Sequence, residues 1–178
     1  MNDCGKLKLG VSACLLGLPT RYDGKSKPCP AIIAAAAEFD FLPICPESKA
    51  GLRIPREPMD LYGDPAAPRA IPRSGSADHT DAVLRAAERR LAELRRRGVC
   101  GLVLKARSPS CGVSDTPLYR PERVVPERGE VIGFGAGLFT RRVLESDPDF
   151  PVIDENDWQN PEKRRIFLEK AKKIDKSC

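Results

Sequence analysis

The chain has little of what most metal and redox sites are built from. Its single histidine, His79, opens the region of a long helix, where an exposed or capping role accounts for it. Its seven cysteines are an odd number and scattered, and no two stand as C-x-x-C, so neither a zinc clip nor a thioredoxin-type redox pair is written locally. The sequence begins without the basic, apolar, small-residue pattern of a secretory leader, which argues against a disulfide framework and sets the expectation of a reducing cytoplasm. No apolar run approaches the ~18 residues of a membrane span. The sequence shows no aromatic stacking platform of the single-strand-binding type. The formal charge of +5 is moderate. Much of it falls on Arg85, Arg89, Arg90, Arg95, Arg96 and Arg97 and on the tail from Lys163 to Lys176, and both stretches read as solvated helix faces rather than an RNA-binding patch.

What is present reads as an α/β chain. At 178 residues it fits one domain, which buries roughly 70% of the surface its unfolded chain exposes. Leu7 to Ala13 predicts a strand, Ala31 to Phe39 a helix with Pro30 at its first position, and Phe41 to Cys45 a second buried strand. Between Asp78 and Gly98 the apolar residues Val83, Ala87, Leu91 and Leu94 recur at helical spacing, with Asp78 or Thr80 to cap the start and Gly98 to end it. Val99 to Lys105 predicts a third strand. "EVIGFGAGLFTRRVLES" predicts a strand, a glycine turn and a helix, and "FPVID" one more strand. A terminal helix, about residues 160–175, opens at Asn160-Pro161 and is expected to pack through Ile166, Phe167 and Ile174. Strands alternating with helices predict a single domain over 1–178, its core about 7–158. The architecture is a mainly parallel sheet flanked by helices in a Rossmann-like three-layer arrangement, with the ligand site at the carboxyl ends of the strands. The Pro/Gly-rich stretch 51–75 reads as a lid or binding loop.

Three cysteines fall at those strand ends. Cys14 follows the first strand in "VSACLLG", Cys45 ends the second in "PICPE", and Cys111 lies just past the third in "LKARSPSCG". Gathered thiolates repel and stay protonated unless a cation holds them, so the set points to a metal centre or one unusually reactive thiol. A zinc would need a fourth ligand that His79 is badly placed to supply. A [4Fe–4S] cubane on three cysteines keeps one iron open, a soft Lewis acid suited to sulfur. Cys100 reads as a core residue, Cys4 and Cys178 lie near the termini, and Cys29, between prolines in "PCPA", competes as a ligand or redox partner.

"VSACLLG" with "RYDG", "CPE" followed by "GLRIPREP", "LKARSPSCG" and "GFGAGLF" together resemble the 2-thiouracil desulfidases, a bacterial family long known only as a domain of unknown function. The likeness runs from about Leu9 to Trp158. It implies a [4Fe–4S] cluster on Cys14, Cys45 and Cys111, whose unique iron receives the sulfur of a thiolated base. It also implies roles for Glu47 of "CPE" and for Ser108, which opens "SPSCG". Two departures are "MDLYGDP" after "PREP", where the family commonly has a glutamate, and the additional Cys29.

The chemistry agrees with the resemblance. Glu47, two residues from a ligand, would activate water or shuttle a proton. Ser108 is preferred over Ser110 as the substrate contact, and Lys105, Arg53 and Arg56 would balance the cluster's negative charge. The expected activity is conversion of a thiolated pyrimidine to its oxo form with release of sulfide and no net redox change. Thiolated tRNA is the runner-up substrate, and a non-catalytic iron–sulfur sensor or sulfur carrier the third reading.

Overall fold

The computed structural model describes residues 5–120 and 129–175, so Cys4, Lys176 and Cys178 lie outside the described residues. In chain order the strands and helices are β1 (Lys8–Ser12), α1 (Pro30–Ala34), β2 (Asp40–Ile44), α2 (Pro46–Lys49), β3 (Met59–Tyr62), β4 (Arg69–Pro72), α3 (Thr80–Arg96), β5 (Gly101–Leu104), β6 (Thr116–Tyr119), β7 (Val131–Gly135), α4 (Leu138–Ser146), β8 (Val152–Asp154), α5 (Glu155–Trp158) and α6 (Pro161–Ile174). They form two four-stranded sheets.

The first sheet has the order β2-β1-β5-β8 and every neighbouring pair is parallel. Parallel strands joined by helices are covered on both faces, so their sequences are apolar without alternation. Accordingly all four residues of β5, "GLVL", are buried. Its Leu102 and Leu104 pack against Ala87 and Leu94 of α3 and Phe139 and Val143 of α4. Val103 packs to the other side with Leu9 and Val11 of β1, Ile32 of α1, Trp158 of α5 and Phe167 of α6. Trp158 is fully buried, with Phe39 and Phe167 at edge-to-face distances of 5.9 and 6.0 Å. This is the expected three-layer α/β arrangement with a mainly parallel sheet.

The second sheet was not foreseen. Its order is β4-β3-β6-β7, with β3 and β6 parallel and the outer pairs antiparallel. Residues 51–75, read from sequence as a lid, contain β3 and β4 of this sheet. Four-residue strands bounded by proline and glycine carry too little alternation to stand out. The strand of "EVIGFGAGLF" exists, but it is the outer strand β7 of this sheet.

Smaller corrections follow from packing. The helix after Pro30 is short, passing into a 3-10 turn at Ala35–Ala37. In α6 the buried residues are Phe167 and Ala171, whereas Ile166 is exposed. Arg90 is not on a solvated face: it is buried, donates to the Pro43 carbonyl of β2, and pairs with Glu93 at 2.5 Å. Asn160 caps α6 as expected, accepting from the Glu162 and Lys163 backbone N–H groups. Among the described residues no helix is long and apolar enough to cross a membrane.

Candidate active site

β1 lies inside the parallel sheet with β2 on one side and β5 on the other, the chain having left it in opposite directions. The crevice at the carboxyl ends of such strands is where open α/β sheets bind ligands. Here it is a cavity of about 370 Å³ lined by Cys14, Cys45 and Cys111 together with Glu47 and Ser108. Cys14 sits in the 3-10 turn Ala13–Leu16 that continues β1, and this turn is ended by Gly17 in the left-handed conformation (φ 91°). Cys45 occupies the position that opens α2. Its sulfur accepts from the Ser48 hydroxyl at 3.3 Å and lies 3.9 Å from the Thr20 carbonyl.

Cys111 lies in a loop with most of its polar backbone groups bonded. Ser108 Oγ accepts from the N–H groups of Ser110 (3.3 Å) and Cys111 (3.1 Å), and the Gly112 N–H and Thr116 hydroxyl both donate to the Ser108 carbonyl. The start of α4 closes over the same loop: Leu138 N–H donates to Pro109, Phe139 N–H to Ser110, and Thr140 Oγ1 to Cys111, each at 2.9 Å. This explains "GFGAGLF", whose role was not legible from sequence. A Cβ on Gly137 would stand 2.5 Å from the Ser110 carbonyl carbon, so only glycine lets the two loops approach. Further back, Ala106 N–H donates to the buried Glu155 at 2.6 Å, the Lys105 ammonium pairs with the same carboxylate, and Lys105 N–H donates to Ser12 Oγ at 3.0 Å.

Glu47 is held at three points. Oε1 accepts from the Ser110 hydroxyl at 2.9 Å, and Oε2 accepts from Arg56 Nε at 2.8 Å and Nη2 at 2.7 Å. Arg56 is anchored in turn on the Thr20 carbonyl at 3.0 Å. Ser110 is fully buried and serves Glu47, whereas Ser108 borders the cavity. Of the cations expected to face the site, Arg56 and Lys105 line the cavity but each is paired with a carboxylate; Arg53 is exposed and does not line it. Cys29 is buried in the core beside Ile32, and His79 starts α3 without a side-chain cap; neither borders the cavity. Ser12, Thr20, Ser48 and Glu155 escaped the sequence reading. A serine in an otherwise apolar strand was the one signal that pointed to any of them.

Burial and the neighbouring Cys45 push the Cys14 thiol up to about 11, against smaller opposing effects of Lys105 and Arg21. Cys111 is raised well above the usual thiol range by the same two causes, with the Ser12 hydroxyl opposing. Without a cation these groups remain neutral thiols; a soft cation makes thiolates of them. No three His, Cys, Asp or Glu among the described residues are arranged to hold a single metal ion.

The sequence model of the 2-thiouracil desulfurase family matches residues 9–155. The chain belongs to that family. The match takes in all three cavity cysteines, Glu47 and Ser108, and ends at Glu155, the carboxylate that holds the loop after β5. Among relatives, the Bacillus subtilis (strain 168) uncharacterized protein YbbK is 31% identical over 108 residues, covering 57% of this chain and 71% of its own length. Among solved structures, the [4Fe-4S]-dependent thiouracil desulfidase TudS superposes with a TM-score of 0.70 at 34% identity, over 92% of this chain and 99% of that one.

Proposed function

We propose that Cys14, Cys45 and Cys111 hold a [4Fe–4S] cluster and that Glu47 and Ser108 act on a thiolated pyrimidine beside it. The activity is that of a thiouracil desulfidase: thione and water give the oxo base and hydrogen sulfide, with no change of oxidation state. The observation that carries this reading is the meeting of three thiols from three parallel strand ends with an ion-paired carboxylate in one cavity. When bound, the cluster supplies a Lewis-acidic iron free of cysteine, soft enough to attract a thione sulfur.

The chain's own residues do the rest. Arg56 and Ser110 fix the Glu47 carboxylate, which takes the proton from the attacking water and returns it to the ring or the leaving sulfur. Ser108 already accepts two backbone N–H bonds, so its own O–H is left to donate to the substrate. The cavity of about 370 Å³ has to take both the cluster and the substrate, which favours a small base or nucleoside over a larger partner. All five described cysteines are free thiols, in keeping with a reducing cytoplasm.

The deciding experiment is anaerobic reconstitution followed by iron and sulfide analysis, the absorption spectrum, and sulfide release from 2-thiouracil. The expected result is four irons per chain and turnover. A loaded protein that releases no sulfide from any thiobase would overturn the activity.

A further inference from the structure

The second sheet also reaches the cavity. Asp60 of β3 and Arg73, immediately after β4, both line it, and Arg73 Nε donates to Asp60 Oδ2 at 2.9 Å. The Asp60 side chain is 13% exposed and that of Arg73 33%, so the pair at the cavity wall is partly dried. Behind it the buried rings of Tyr62 and Tyr119 stand 5.7 Å apart. A salt bridge that merely tied the hairpin would be superfluous. β3 and β4 already pair from Met59↔Pro72 to Tyr62↔Arg69, and Arg73 N–H donates to the Pro58 carbonyl at 3.1 Å.

We propose that Asp60 and Arg73 are the specificity pair of the site, reading the amide edge of the pyrimidine ring. Asp60 accepts from the ring N3–H, and the remaining guanidinium N–H groups of Arg73 donate to the adjacent C4 carbonyl. An acceptor beside a donor is the complement of H–N–C=O. A carboxylate has about four acceptor sites and a guanidinium five donors, so the pair binds this edge without breaking its own bond. The sulfur at C2 is then free to point toward the cysteines. The proposal rests on the desulfidase reading for the identity of the ring, and it predicts rejection of any base substituted at N3, because the substituent gives the carboxylate no proton and occupies the space of that contact.

The test measures binding of uracil, the oxo product of 2-thiouracil, and of 3-methyluracil to the cluster-loaded protein by titration calorimetry, beside sulfide release from 2-thiouracil and 3-methyl-2-thiouracil. The wild-type protein should prefer the unmethylated ring by about 5- to 150-fold. Asp60→Ala should abolish the preference with iron content unchanged, and Asp60→Asn, which keeps an acceptor, should retain part of it. Equal binding of both rings by the wild-type protein, or full preference in Asp60→Ala, would overturn the pair. The two readings fail separately: uracil discrimination without sulfide release leaves the pair standing and removes the activity, whereas turnover without discrimination does the reverse.

Discussion

The two sheets meet at one cavity but are built on different terms. The parallel sheet is covered on both faces, and its central strands β1 and β5 are buried almost throughout. The mixed sheet is buried along its central strands β3 and β6, but its outer strand β7 leaves Val131, Ile132 and Phe134 exposed, the last at 67%. From the first come the cysteines and Glu47; from the second come Asp60 and Arg73. The groups proposed to break the bond thus stand on the part of the fold that tolerates least change, and those proposed to read the substrate on a part whose outer strand is under little packing constraint.

The comparison is broken most severely at the cysteines. Cys14→Ser, Cys45→Ser and Cys111→Ser should each lose the visible absorption and iron of the reconstituted protein and all sulfide release, whereas Cys29→Ser should keep them. A Cys29 variant without iron beside an intact Cys45 variant would move the site. Next is Glu47→Gln, expected to lower kcat by about 10²–10⁴-fold with the iron content unchanged. Measured after that, Gly137→Ala should destabilise the protein by about 1–3 kcal/mol in urea unfolding, because its Cβ meets the Ser110 backbone. At the small end lies the second sheet. The Tyr62 hydroxyl is buried without a hydrogen-bond partner, so Tyr62→Phe should be neutral or stabilising by about 1 kcal/mol. A loss of more than that would show that the mixed sheet is as tightly specified as the parallel one.

Legibility from sequence follows the same division. Continuous apolar runs such as "VCGLVL" announce parallel strands, and the α3 periodicity with Gly98 announces its helix. Both signals are local. The mixed sheet pairs Leu61 with Leu118 across about a third of the chain, through strands spelled "MDLY" and "TPLY" that resemble loop sequence. In the site, strand ends located Cys14, Cys45 and Cys111. The partners that aim Glu47 come from unrelated segments, so Arg56 was legible only as a nearby charge and Ser110 only as a turn residue. Asp60 was legible as a departure from the family pattern, without a purpose.

The loop around Cys111 has a further consequence. Side chains from five places hold it: Glu155 on Ala106, Asp115 on the Arg107 N–H at 2.8 Å, Ser108 on Cys111, Thr116 on Ser108, and Thr140 on the Cys111 carbonyl. Even the left-handed Arg107 (φ 59°), a conformation that residues with a Cβ rarely adopt, is pinned there. None of these bonds involves a cysteine sulfur. The ordering entropy of the loop is therefore met when the chain folds, not when iron arrives. A centre mounted in this way would be separable from its mount: with the metal removed, the loop that carries Cys111 would keep its shape through bonds of its own.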